Sequence, residues 1–304
     1  MTDQRGESRK TVLVAISANA AIAAAKGVGG LLSGSSALLA EAAHSAADAC
    51  NQGLMLLSLH RSERAPDEEH PFGYGKERFF WVLLAAIFIF LAGGIFGIAE
   101  GLFRILAGAA EKGGYAVTYG VLGFALLAEG TSFARALRQT RRGAREARLP
   151  FAAYIRASKE PAAKTVVSED AADVAGILIA FAGTAAAQLT GNELWDGVAA
   201  VAIGLLLCVV GWALARDAKG LLIGEPARHE ERQRLRRTIL EHGAVEDVLD
   251  LRTMYLGPQS LLVVARVDLR DELDGAAVER AAAEIDEALR EELPDVTEVF
   301  LDPT

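Results

Sequence analysis

The sequence predicts an α-helical membrane protein with six transmembrane helices, followed by a small α+β domain of ferredoxin-like type. Three observations predict it. Six apolar runs are long enough to cross about 30 Å of hydrocarbon, which takes roughly 20 helical residues. The 304 residues are 52% hydrophobic with a mean hydropathy of +0.25, high for a soluble protein and moderate for a purely membrane one. The segment after Lys219 is densely charged and holds no apolar run of spanning length.

The spans are expected near 11–31, 36–59, 79–105, 114–137, 162–189 and 194–216. The N-terminus, MTDQRGESRK, is polar and no small-residue cleavage site follows a short apolar core, so no cleaved signal peptide is expected. The links after spans one, three and five (LLSGSS, AGAAEKGG and TGNELWDG) are short and nearly free of basic residues. The other links are basic. Arg61, Arg64, Lys76 and Arg78 lie between spans two and three; Arg141, Arg142, Arg145, Arg148, Arg156, Lys159 and Lys164 lie between four and five; Arg5, Arg9 and Lys10 precede span one. Basic loops stay on the cytoplasmic side, so both termini are expected there.

Span one (AISANAAIAAAKGVGG) and span three (LAGGIFG) are rich in small residues, which let helices approach closely in lipid. Lys26 in span one is expected near an interface or paired inside the bundle. The two cysteines, Cys50 and Cys208, sit in apolar stretches and read as small buried hydrophobes rather than a disulfide framework or zinc knuckle.

The domain boundary is placed between 216 and 217. HEERQRLRRTILEHG has helical periodicity, VEDVLDLRTMYLG and QSLLVVARVDL alternate like strands, and Gly257-Pro258 marks the turn between them. GAAVERAAAEIDEALREEL reads as a second amphipathic helix and VTEVFLD as a last strand. The order α-β-β-α-β suggests a small sheet covered by helices on one face. The net charge of -9 mainly reflects this acidic domain, and no nucleic-acid partner is expected.

Two ionisable pairs interrupt the apolar runs: His44 and Asp48 in span two, Glu169 and Asp173 in span five. Residues four apart share a helix face, one turn apart. Ionised groups in hydrocarbon are costly, and such residues default to a functional hypothesis. A lone intramembrane His is often only a packing residue, and a lone Asp can pair with Lys26; two matched pairs are harder to dismiss. One imidazole and three carboxylates form a shell for a divalent metal. His44 lies eight residues into span two, about 12 Å at the helical rise, and Asp173 nine residues into span five, about 13–14 Å. The spans run in opposite directions, so the pairs can meet near the midplane, and Ala42, Ala43, Ala46, Ala47, Ala171 and Ala172 leave room for close approach. Asp170 points roughly 100° away from Glu169. It can cap, pair with a base, or take the place of Glu169 as ligand; Glu169 is preferred because it shares a face with Asp173.

Lys26 with the following GLLSGSSALLAEAAHSAAD, HPFGYGKERFFW after span two, and DAADVAG in span five resemble the cation diffusion facilitator family of metal transporters. The resemblance covers nearly the whole chain and implies six spans, a C-terminal dimerisation domain and a transport site at His44, Asp48, Glu169 and Asp173. Zinc transporters of the family commonly have His where this chain has Glu169, so the Glu-Asp start of the motif resembles one branch of the family. Oxygen ligands raise the chance of manganese, iron or cobalt, while His44 keeps zinc first. Asp67 and His70 match two ligands of an accessory loop site, with Tyr74 where another His is expected, so an acidic solvated loop is the favoured reading. The family's binuclear site in the C-terminal domain falls on Leu249, Arg266 and Phe300, with only Asp302 retained, and no metal centre of that type is expected there. His229 and His242 read as helix-surface residues.

No GxxxxGK[ST] loop and no HExxH motif is present, which argues against ATP as driver and against a membrane metalloenzyme. The expected function is metal efflux by metal/proton antiport. No cofactor is expected besides the transported ion; the expected partners are protons, membrane lipid and a second copy of the chain. The expected location is a bacterial inner membrane. A non-transporting metal sensor or scaffold is the competing class.

Overall fold

The computed structural model describes residues 2–107, 114–146, 150–151 and 161–304, and side chains among them from 17 onward except 18 and 161–169. Arg148, Arg156 and Lys159, and the side chains of Arg5, Arg9, Lys10, Lys164 and Glu169, therefore lie outside what is described.

Six long helices carry the predicted spans: α1 (Thr2–Ser33), α2 (Ser36–Ser62), α3 (Glu77–Ala107), α4 (Tyr115–Glu146), α5 (Pro161–Thr190) and α6 (Leu194–Ile223). Among the described residues, α3, α4, α6 and the 170–190 part of α5 are long and apolar enough to cross a membrane by composition alone. In α2 the apolar run is broken by Glu41, His44, Asp48, Asn51 and Gln52.

The α1–α2 corner shows how the sequence sets the register of these helices. Gly34 takes φ +78°, and its N–H returns to Gly30 O at 2.8 Å, closing α1 as a left-handed glycine cap does. Ser35 then caps α2, its hydroxyl accepting the Leu38 N–H at 3.2 Å. The corner therefore consumes only two residues between helices.

The glycines of span three do the packing expected of them. The α3 backbone lies directly on α6: a Cβ at Gly97 would meet Gly204 Cα at 3.1 Å, and one at Gly101 would meet Gly197 O at 2.5 Å. Within α3 the stretch Ile89–Ile95 widens into a π-helical turn, with the Phe96 N–H reaching Leu91 O. Periodicity does not reveal such a turn, because the apolar run is continuous across it. Elsewhere α4 packs on both α1 and α5. A core of Leu38, Leu122, Ile177, Ile203 and Leu207 fills the bundle.

The chain divides into two compact units, 1–54 with 84–215, and 55–83 with 216–304. The second unit holds α7 (His229–Leu240), β1 (Val245–Gly257), β2 (Ser260–Leu269), α8 (Gly275–Glu292) and β3 (Val296–Pro303). This is the α-β-β-α-β order read from the sequence. The strands form a sheet in the order β1-β2-β3, with β1 and β2 antiparallel and β2 and β3 parallel across the α8 connection. Gly257 pairs with Ser260, so the hairpin turn itself is Pro258-Gln259. Alternate residues of β2 (Leu261, Val263, Ala265, Val267) are buried with Leu235 and Ile239 of α7 and Ile285 and Leu289 of α8. The opposite face shows Val264, Leu249 and Phe300 to solvent.

Glycine makes a second close contact in this unit. A Cβ on Gly75, in the loop between α2 and α3, would sit 2.5 Å from Leu256 O at the end of β1. The HPFGYG stretch is thus laid backbone to backbone on the hairpin, with Phe72 edge-on to Phe300 at 6.4 Å.

Candidate metal centre

His44 projects from the third turn of α2 and is 3% exposed. Its Nε2 lies 2.7 Å from Asp173 Oδ1 on α5, and its Nδ1 lies 3.5 Å from Asp48 Oδ2, one turn along its own helix. One ligand atom from each of the three residues lies within 4.8 Å of the others. Neither ring nitrogen makes a protein hydrogen bond of good geometry despite full burial. A buried imidazole is ordinarily anchored through at least one nitrogen. Here both nitrogens face carboxylates instead, Asp173 on α5 and Asp48 on α2. Alanines permit the approach: Ala47 and Ala172 are buried beside the cluster residues.

The structure thus brings together three of the four residues expected at the site. Asp170 stands apart. Its carboxylate accepts a hydrogen bond from Ser132 on α4 at 3.2 Å, as its rotation around α5 requires. Glu169 shares α5 with Asp173, but its side chain is outside the described residues.

Lys26 is paired inside the bundle, with partners that the sequence reading missed. It is completely buried, and its Nζ lies 3.0 Å from Glu41 Oε2, 2.8 Å from Ser45 Oγ and 2.9 Å from Glu129 Oε1. A cavity lined by Asn19, Ile22, Ser45, Asp48, Glu129 and Asp173 joins this cluster to the His44 cluster. The available signal was carboxylates within spanning segments: Glu41 three residues before His44, and Glu129 in LLAEG. A third buried acid, Asp196 on α6, accepts the Ser35 hydroxyl at 2.6 Å and the N–H groups of Ser36 and Ala37 at 2.5 and 3.3 Å. It caps α2 from a different helix.

The loop pair is differently employed. Asp67 Oδ2 accepts the Tyr74 hydroxyl at 2.6 Å and Oδ1 accepts the His70 N–H at 2.8 Å. These bonds hold its carboxyl below the usual range, the Tyr74 hydroxyl most of all. Arg64 stacks over Tyr74 at 4.3 Å. Asp67 and His70 lie 3.6 Å apart and are about half exposed. Both Asp67 oxygens thus serve the fold of the loop. In the C-terminal domain Arg266 donates to Asp302 at 2.8 Å, occupying the one acid retained there. His229, on the surface of α7, meets Gln233 at 2.9 Å; His242 lies just past the end of α7 rather than on a helix surface, and meets Glu284 at 2.9 Å.

Residues 12–223 match the model of the cation efflux transmembrane domain, and residues 227–302 that of the cation efflux protein cytoplasmic domain. The chain belongs to the cation efflux, or cation diffusion facilitator, family. It is an integral membrane protein with a helical membrane domain followed by the family's cytoplasmic domain. Metal tolerance protein C4 of Arabidopsis thaliana is 31% identical over 79% of this chain and 52% of its own length. The human mitochondrial proton-coupled zinc antiporter SLC30A9 is 29% identical over 96% of this chain and 52% of its own length. The manganese efflux system protein MneP of Bacillus subtilis is 24% identical over 97% of this chain and 95% of its own length. This chain therefore spans about half the length of the first two relatives.

Proposed function

We propose that the chain exports a divalent metal cation, zinc foremost, by metal/proton antiport with alternating access. The observation that carries this reading is the convergence of His44, Asp48 and Asp173 across two helices, with both imidazole nitrogens facing carboxylates. In this reading Glu169 supplies the fourth ligand. Metal binding requires neutral imidazole and ionised carboxylate, so protons and metal compete for the same atoms. Exposure to a more acidic compartment then releases the metal and loads protons. The relatives support this reading, one named for proton-coupled zinc antiport and another for manganese efflux.

The metal is the substrate; no enzymatic step and no cofactor enters this reading. Residues 1–216 act as the transport domain, and residues 217–304 join two copies of the chain without a metal of their own. The setting is a bacterial inner membrane with both termini in the cytoplasm, to which the basic loops point. Manganese, iron or cobalt is the second reading for the cargo, favoured by the carboxylate at position 169.

The test is metal uptake into inverted vesicles with and without an imposed pH gradient. Wild-type protein is expected to accumulate zinc when the vesicle interior is acidic. Asp48→Ala and Asp173→Ala are expected to abolish uptake while inserting normally, since each removes a ligand without disturbing the apolar core. Near-normal transport by Asp173→Ala would overturn the assignment and turn attention to Asp170. Gradient-independent binding without accumulation would favour a sensor or scaffold.

A further inference from the structure

The Lys26 cluster is built like a cation site whose cation belongs to the protein. An ammonium has three protons to donate, and Lys26 places oxygen from Glu41, Ser45 and Glu129 around its nitrogen, all within 3.0 Å. Each glutamate keeps a second buried oxygen, Glu41 Oε1 and Glu129 Oε2, with no protein hydrogen-bond donor. Helix α5 leaves room for one of them: a Cβ on Gly176 would overlap Glu41 Oε1. Gly176 lies three residues after Asp173, so the segment that supplies a metal ligand also makes space for this glutamate. Ser45 and Glu129 line the cavity that Asp48 and Asp173 also line.

A purely structural strut is a poor explanation for these groups. Burying an ion cluster in a membrane bundle carries a desolvation cost that apolar residues of similar volume avoid. Two acidic clusters therefore border one cavity, and a lysine side chain occupies one of them.

We propose that Lys26 is a tethered cation filling a second carboxylate site, Glu41 with Glu129, and that it thereby restricts the cavity to a single divalent ion at the His44 cluster. The inference rests on the transport-site assignment above. Its specific consequence is that removing the ammonium uncovers an all-oxygen site. Oxygen ligands without imidazole suit manganese better than zinc.

The experiment is equilibrium dialysis of the purified full-length protein against zinc or manganese, with bound metal counted by mass spectrometry as differences between variants. Lys26→Met is expected to bind one ion more than wild type, and the added ion should be the more manganese-selective. Lys26→Arg should show the wild-type count, and Lys26→Met combined with Glu41→Gln and Glu129→Gln should return to it. A folded Lys26→Met with the wild-type count overturns the proposal. Where Lys26→Met is unstable in chelator, millimolar manganese should restore its melting transition by replacing the ammonium. Failure of that rescue, with the triple variant folded, overturns the proposal equally. The His44→Ala/Asp173→Ala variant separates the two ideas. If it binds as much metal as wild type, the transport-site assignment fails; if it loses one ion while Lys26→Met gains none, only the present proposal fails.

Discussion

Removing the carboxylate of Asp196 should destabilise the membrane bundle by an amount that the geometry sets. Asp196 is 3% exposed and receives the Ser36 N–H at 2.5 Å, the Ala37 N–H at 3.3 Å and the Ser35 hydroxyl at 2.6 Å. The two amides belong to the start of α2, where no carbonyl of the same helix can accept them. In Asp196→Ala the Ser35 hydroxyl can turn elsewhere, but both amides lose their acceptor. A buried donor left unpaired costs on the order of 1–3 kcal/mol, and the Ala37 bond is long, so the expected loss is about 2–4 kcal/mol. At about 2–4 °C per kcal/mol for a domain of this size, the melting midpoint should fall by roughly 5–15 °C. Asp196→Asn retains one acceptor oxygen and should lose less than half as much. Tryptophan fluorescence during heating of the detergent-purified protein reads this directly, since Trp195 adjoins the substituted position. The melt should be run in chelator so that metal binding does not mask the shift. A midpoint within 1 °C of wild type for Asp196→Ala would show that water or another group already satisfies the α2 amides, and would refute the cap.

Three other outcomes are expected. Glu169→His replaces an oxygen ligand by nitrogen and should shift competing-metal profiles toward zinc and cadmium at a fixed pH gradient; an unchanged zinc-to-manganese ratio would remove Glu169 from the ligand set. The fragment from 217 onward, which has its own apolar core, should dimerise without added zinc; stoichiometric, tightly bound zinc in it would refute a metal-free role for Leu249, Arg266 and Phe300. Tyr255, the one tyrosine of that fragment, is pushed up to about 12 by burial and then by Glu231, which accepts its hydroxyl at 3.1 Å. A raised folded-state pKa means this contribution to stability is intact below about pH 10 and is lost as pH rises toward 12. Absorbance titration should therefore place the phenolate well above its free value, and Glu231→Gln should bring it down; a titration near 10 in the intact fragment would refute the contact.

Much of this architecture was legible because it is periodic. Apolar runs of spanning length, short uncharged links and alternation in VEDVLDLRTMYLG each have a local physical cause, and the helices and strands follow them. The site was half legible for the same reason. His44 with Asp48 declares a helix face through its spacing, and Glu169 with Asp173 declares another. What the sequence could not show is which face meets which. Lys26 reaches Glu129 across 103 residues and Asp196 reaches Ser35 across 161, pairings that exist only once the bundle has packed. Glu41 was hidden differently. Standing one turn before His44, it reads as another member of the metal-binding face, yet its carboxylate turns to the α1 ammonium and the gap at Gly176. The π-helical turn at Ile89–Ile95 left no trace in composition.

Buried acids of the bundle are compensated in different ways, and the differences bear on the proposed transport site. Asp196 is neutralised by backbone N–H groups at the positive end of α2, which are part of the chain and cannot leave. Glu41 and Glu129 are neutralised by the Lys26 ammonium, which is tethered through its side chain to α1. Asp48 and Asp173 flank His44, whose charge depends on a proton that comes from solution. A neutral imidazole withdraws the countercharge that His44 can give these two carboxylates, in a medium where buried charge is costly. In the proposed reading, protons or a divalent cation arriving from water supply that charge instead. Exchange between those two states is the chemistry the proposed antiport needs, and at this cluster it leaves intact the backbone and lysine contacts that hold Asp196, Glu41 and Glu129.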